Sequence, residues 1–570
     1  MRRPRGLWIT RSRGNVRVVA RDILPPNLAN TLLTCLAVAP LALGVGCKVD
    51  DTAIDDDETG ATGGEGDGDG DGDPEPVDLG PAVGIDIVEV EANQGTAVLI
   101  GQGGEWVGGE GRNAYMIRDR DTLIRAQYTV ADNWVPREIL GVLHVKDAQG
   151  NELTPRYRQM RVEASSDPKV LTSNFYFSIL ADEAQPGASY WLELREADPS
   201  VDIEAIQAAM APGINVTPPG YELIGYEQTP LEMKVVFVPI EYTFINPPTL
   251  VEPTEADIQL LHDDLLQTNP LQTVDIQVHA PYEWTNQLTN LGALLSPMRS
   301  VRGQDGADPN VYYHALVDVR SPAVNMVAGI ASLTGPTQTD GLNRVAATVW
   351  FKQNEEAPPA GTSGTVVHEV GHNQGLSHIY CPQAASEAAG PDPSYPHDGG
   401  KIGVYGFGIR NFRLYTPTAA HDYMTYCGNA WVSDWTWNKT YQRIKTLTSW
   451  DYEGGMAPDD NTAAAEQPLL IGTLFPDGSE DWWVMMGTPP APEQLGGEQR
   501  VAVVSGGVVV DEAYTHVSLL SDDATRVVIA PLDVALDEVE GLTRIDFEGH
   551  ARAIELESLH IDHSVALDYQ

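Results

Sequence analysis

His368-Glu369-Val370-Gly371-His372-Asn373-Gln374-Gly375-Leu376-Ser377-His378 reads H-E-x-x-H-x-x-G-x-x-H, and each fixed position meets a need of zinc chemistry. His368 and His372 stand four apart, so on one helix they project from the same face and reach one ion. Glu369 lies beside the first ligand and is placed to act on water. Gly375 falls where the helix must stop, because glycine accepts the left-handed backbone that ends a helix. The turn returns His378 as a third ligand. Three neutral imidazoles leave a fourth position open, the arrangement of a catalytic rather than a structural site. A bare H-E-x-x-H also arises by chance on amphipathic helices. The extended string fixes five positions in a chain with 13 histidines among 570 residues.

Downstream, His421-Asp422-Tyr423-Met424-Thr425-Tyr426-Cys427 places a methionine after the histidine string. Together the two stretches resemble the metzincin clan of zinc metallopeptidases, whose Met-turn lies beneath the zinc imidazoles. The resemblance is specific from about Thr362 to Tyr426 and looser over a domain beginning near Met233. It implies a zinc metalloendopeptidase with one Zn2+ on His368, His372 and His378, and Glu369 as general base. Met424 would be the structural floor. Tyr426, two residues on, would ligate zinc or hydrogen-bond the oxyanion, or else pack in the turn. His397-Asp398 and His421-Asp422 fit no ligand spacing, although Asp422 could accept a bond from a ligand imidazole.

The chain has four cysteines. Cys381 follows His378 by three residues and Cys427 follows Met424 by three. In a metzincin both would flank the zinc site, so a disulfide would staple the third-ligand loop to the Met-turn. The alternative is two separate buried thiols. The other two lie near the N-terminus. Seven arginines precede the apolar run from Thr31 to Gly46, which has signal-peptide length. Gly46-Cys47 resembles a bacterial lipoprotein site, making Cys47 the lipidation candidate; cleavage elsewhere or a single membrane anchor are the alternatives. The expected location is therefore the bacterial outer membrane or the exterior. From Asp50 to Asp78 the chain is Asp, Glu, Gly and Thr with almost no apolar content, and it reads as an extended tether.

The formal net charge is −46. It argues against nucleic acid or an anionic membrane as partner, leaving membrane attachment to the N-terminal lipid. The expected architecture is multidomain: a signal peptide over 1–46, a tether over 47–80, an all-β sandwich over 81–226, a central α/β metzincin-like domain over 230–455 and a small C-terminal β domain over 461–570, read as a sandwich. In the first β domain, Ile85 to Val90 alternates and Leu123 to Val130 is strand-like. Val216 to Tyr221 reads as a Pro-rich connection.

In the central domain the expected order is a strand over Met233–Tyr242, a helix capped by Thr254, a strand over Val274–Val278 and a helix over Trp284–Arg299. Strands over Tyr312–Val319, Val327–Leu333 and Val345–Phe351 precede the zinc helix, and Ser433 caps a last helix over Asp434–Ser449. The metzincin resemblance implies that the strand before Val345 is the sheet edge lining the cleft, unpaired and able to take an extended substrate through backbone hydrogen bonds; the alternative is a plain edge strand. The function these readings imply is hydrolysis of peptide bonds in extracellular or envelope proteins or glycoproteins. The alternative is a surface adhesin or glycan-binding lipoprotein whose metal domain is vestigial. An intact Glu369 weighs against that alternative.

Overall fold

The structure, a computed structural model, describes residues 77–354, 357–384, 390–452, 466–562 and 565. The signal segment, Cys47 and nearly all of the tether lie outside the described residues. What is described is multidomain and mostly β, with few helices.

The first β domain is an antiparallel sandwich. One sheet runs Glu105–Trp106, Ala97–Gln102, Ile85–Asn93, Thr122–Val130, Phe175–Ile179; the other runs Val216–Leu223, Ser189–Glu196, Arg137–Lys146, Arg156–Val162. Alternation makes the core: Ser189–Glu196 buries every second side chain, and Leu192 and Leu194 join Ile87, Val90 and Ile124 in one cluster. The expected connection over Val216 to Tyr221 is instead part of a strand. Prolines are tolerated there because Val216–Leu223 is a sheet edge, where a missing N–H costs little.

The central domain holds β1 (Glu232–Tyr242), α1 (Glu255–Thr268), β2 (Thr273–Val278), α2 (Leu295–Gln304), β3 (Val311–Val317), β4 (Gly329–Ala331), β5 (Val345–Val349), α3 (Ala360–Asn373) and α4 (Asp434–Ser449). The main strands lie in the order β2-β1-β3-β5-β4, parallel except β4, which runs antiparallel to β5. Thr254 caps α1 in a capping box with Asp257, and the Ser433 side chain accepts from Thr436 N–H to start α4.

Two expectations in this domain are corrected. Tyr282–Trp284 is a strand on β1, and a 3₁₀ turn over Leu291–Leu294 precedes α2. That turn starts where the Asn290 side chain accepts from Gly292 N–H. The outer edge of β4 is not unpaired. Ser332 bridges Leu520 in antiparallel fashion, and Ser521 N–H donates to Ala331 O at 2.9 Å.

Those two residues belong to the C-terminal domain, whose main strands are β6 (Gln467–Leu474), β7 (Glu480–Gly487), β8 (Gly496–Ser505), β9 (Val508–Leu519), β10 (Arg526–Pro531), β11 (Gly541–Asp546) and β12 (Ala551–Ile554). They form one hydrogen-bonded path rather than two separate sheets. β9 turns the corner: Val508 to Tyr514 pairs with β8, and His516 to Leu519 pairs with β10. Leu470, Val484, Val501, Val503, Val528 and Leu542 fill the space between the halves. The opposite face of β6, β7 and β10 carries Leu469, Ile471, Met485, Val527 and Ile529. They share a cluster with Leu294, Leu295 and Met298 at the start of α2. This sheet is therefore buried on both sides, one of them against the central domain.

Candidate metal centre

α3 carries the first two histidines and is tied down by polar contacts at both ends. Near its start, Thr362 Oγ1 accepts from Phe351 N–H at 2.9 Å and donates to Val349 O, while Ser363 Oγ donates to Asp264 at 2.6 Å. At its end, Asn373 Nδ2 donates to Ser332 O and Val345 O, bonding the helix to the outer strands. Val366, Val367 and Val370 supply the apolar face. The helix stops as expected. Gly375 has φ +86°, its N–H bonds His372 O, and Leu376 N–H reaches back to Gly371 O.

This stop brings His378 beside the other two. Nε2 of His372 lies 3.1 Å from Nε2 of His368 and 3.2 Å from Nε2 of His378. His368 Nδ1 is 2.8 Å from Tyr423 O, and His372 Nδ1 is 2.7 Å from Leu376 O. A carbonyl only accepts, so in both rings Nδ1 carries the proton and Nε2 is a bare lone pair. Lone pairs that face one another at this distance cannot hydrogen-bond; a shared cation satisfies them together, and the residues fit one. Burial, then the neighbouring His378, holds His368 down to about 3, and burial holds His372 well below the ordinary range. Both are thus neutral at pH 7, the ligating form.

The turn around Met424 braces the cluster. A Cβ added to Gly371 would lie 2.5 Å from Met424 Sδ, so the methionine packs directly against the glycine of the ligand helix. Met424 O accepts from Ile379 N–H at 3.0 Å, positioning the residue after His378. Cys381 and Cys427 are joined in a disulfide across 46 residues of chain, so the loop after His378 is stapled to this turn. Tyr426 Oη lies 3.0 Å from His378 Nε2.

Asp422 does not reach an imidazole. Its fully buried carboxylate accepts from Met424 N–H and Ser433 N–H, holding the turn and the start of α4, and the His368 and His372 rings use backbone carbonyls instead. His421 contacts Gly428 O and Lys401 Nζ, and His397 pairs with Asp434 at 2.7 Å, so neither joins the cluster.

Glu369 is buried under β4: a Cβ on Gly329 would meet its Oε1 at 2.6 Å. Burial pushes its carboxyl up to about 8; the Ser521 hydroxyl, 3.3 Å from Oε2, pulls the other way, and Asp522 adds to the rise. A cation on the adjacent imidazoles would lower it. Ser521, Gly329 and Asn373 were not singled out from the sequence. Asn373 lies inside the quoted string and offered a signal only as a polar residue at the helix end. Ser521 offered none, standing 152 residues from Glu369.

No protein-family model matches the chain, and no curated protein matches it. Among solved structures it aligns with a calcium-binding mutant of Bacteroides uniformis β-glucuronidase 2 at 11% identity, covering 41% of this chain and 28% of that one, with a TM-score of 0.12. Bacteroides uniformis β-glucuronidase matches at 9% identity, 84% and 61% coverage and a TM-score of 0.14. A Paenibacillus cycloisomaltooligosaccharide glucanotransferase complexed with cycloisomaltoheptaose matches at 8% identity, 81% and 71% coverage and a TM-score of 0.15. The chain spans less than two thirds of either β-glucuronidase. The enzyme class expected from the sequence, a metzincin-type zinc metalloendopeptidase, is corrected to a coarser statement: the structures matched are carbohydrate-active enzymes, and no enzyme class is assigned to the chain from them. TM-scores of 0.12–0.15 carry no argument for a glycosidase either. The chemistry rests on the donors themselves.

Proposed function

We propose that this protein is a zinc-dependent hydrolase that cuts peptide bonds in proteins or glycoproteins outside the cell. The observation that carries the reading is the convergence of three imidazole Nε2 atoms beside a buried carboxylate. His368, His372 and His378 would hold the ion. Zinc bound there supplies Lewis acidity, making water a nucleophile near neutral pH and polarising the carbonyl under attack.

Glu369 takes the proton from the attacking water and passes it to the leaving amine. Its placement under Gly329 sets the carboxylate against the strand that would hold an extended polypeptide. Tyr426 offers its hydroxyl to the developing oxyanion. The Met424 turn and the disulfide keep the third ligand in register. The order β2-β1-β3-β5-β4, with a single antiparallel edge strand beside the ligand helix, supports the finer α/β reading of the central domain. So does the resemblance of the histidine string and the Met424 stretch to the metzincin clan.

Glu369→Gln tests the reading. The variant removes the base but no ligand, so it should retain one zinc per chain by elemental analysis. It should lose about 100- to 10,000-fold in cleavage of an unfolded polypeptide. Undiminished cleavage refutes the mechanism, and a wild-type protein that binds zinc yet cleaves no polypeptide favours the adhesin. His378→Ala should instead lower zinc content.

A further inference from the structure

The hairpin of β9 and β10 ends in a tip, Leu520 to Thr525, that reaches out of its own domain onto the metal centre's wall. Leu520 pairs with Ser332 beyond β4 and is fully buried among the side chains that anchor the C-terminal sheet to α2. Ser521 uses both its polar groups on Ala331: its N–H donates to Ala331 O at 2.9 Å, and its Oγ accepts from Ala331 N–H at 3.0 Å. The same hydroxyl donates to Glu369 Oε2 at 3.3 Å. One side chain therefore closes the outer edge of β4 and covers the carboxylate beneath it. On the far side, a Cβ added to Gly390, beyond the third histidine, would lie 3.3 Å from Asp523 Oδ2. The tip therefore touches β4 on one side and comes close to Gly390 on the other.

Its shape does not depend on that docking. Leu520 N–H bonds Thr525 O, Asp523 N–H bonds Leu520 O, and the Asp522 carboxylate accepts from Ala524 N–H, Thr525 N–H and Thr525 Oγ1. These bonds lie within the tip and survive the loss of its contacts to β4, a displacement that also uncovers Leu520.

We infer that this tip is a built-in occupant of a polypeptide-binding edge: residues 520–521 take the place of an extended polypeptide on β4 and must be displaced before one can enter. Cleavage of an admitted polypeptide rests on the hydrolase reading, whereas the occupancy rests on the contacts of the tip alone. An edge strand recognises its partner through backbone groups, so the competing ligand is any extended, unfolded polypeptide.

The experiment inserts a site-specific protease sequence between Asp522 and Asp523 of the full chain, in a Glu369→Gln background, and cuts it after folding. The probe is a fluorescein-labelled, reduced and carboxymethylated polypeptide, followed by anisotropy. Amide exchange at Ala331 is read by mass spectrometry. Cutting should release Ala331 from protection and tighten probe binding about ten- to thirtyfold, the worth of two competing hydrogen bonds. Added probe should then protect Ala331 again. Ser521→Pro, which deletes the N–H that reaches Ala331 O, gives the same readout without a cut. Free exchange at Ala331 with no gain in binding overturns the proposal, as does protection that survives both changes. Tighter binding in a cut, zinc-loaded, Glu369-intact protein that leaves the probe whole keeps the occupant and removes the hydrolase reading.

Discussion

Replacing Cys381 and Cys427 together by serine opens a loop now closed through 46 residues, without touching any of the three histidines or Glu369. In the chain-entropy treatment a cross-link over that span lowers the entropy of the unfolded chain by about 13 to 14 cal/mol/K, or about 4 kcal/mol at 25 °C. The loop begins three residues past His378 and contains Met424, so the loss should appear in the unfolding of the central domain. The effect on the site should be local. Ile379 N–H still bonds Met424 O and Asp392 N–H still bonds His378 O, but the covalent tie between the His378 loop and the turn is gone. The assay is urea unfolding followed by tryptophan fluorescence, since Trp431 and Trp437 are buried close behind the turn, with zinc release to a chromogenic chelator measured in parallel. We expect a loss of about 3 to 4 kcal/mol at constant m-value, and faster zinc release. A loss under about 1 kcal/mol with an unchanged m-value and unchanged zinc release would refute the staple, leaving the disulfide a bystander.

Tyr426→Phe keeps the ring and removes the hydroxyl that sits 3.0 Å from His378 Nε2. If it serves the oxyanion, kcat should fall about 10- to 1000-fold with little change in KM, zinc content or Tm; an unchanged kcat makes the residue structural. His397 is raised above 6.5 chiefly by its hydrogen bond to Asp434. Because the folded value is the higher one, that pair's stabilisation is fully present below about pH 6.5 and is lost as pH rises through the folded value. An NMR titration of His397 should therefore have its midpoint above 6.5, falling in Asp434→Asn.

Much of the candidate metal centre was legible because its parts are close in the chain. The i, i+4 pair, Gly375 and His378 fall within one helix and the turn that ends it, so helical geometry alone brings them together. The caps at Thr254 and Ser433 were readable for the same reason: a cap is a bond over three residues. The misread segments were those whose state depends on a distant partner. Trp284 pairs with Tyr242 and so became strand rather than helix. Val216–Leu223 became an edge strand because Ser189–Glu196 lay beside it. Asp422 had a readable position but not a readable partner, since Met424 N–H and Ser433 N–H reach it first.

By itself, then, the sequence determined the histidine cluster, the neighbouring carboxylate, the stop at Gly375 and the place of Met424. Each is a contact over a few residues, written by backbone periodicity and by which side chains can bind a metal. Only the tertiary structure decided what covers the site. Ser521 lies 152 residues from Glu369, and no local pattern marks a hydroxyl that reaches its target by the docking of one sheet on another domain. That docking is set by burial of Leu469, Ile471, Leu520 and Ile529 against α2 and its neighbours, a non-directional force that leaves no spacing to read. The edge of β4 looked open in one dimension, and the apolar packing of a domain far along the chain brought in the segment that pairs with it.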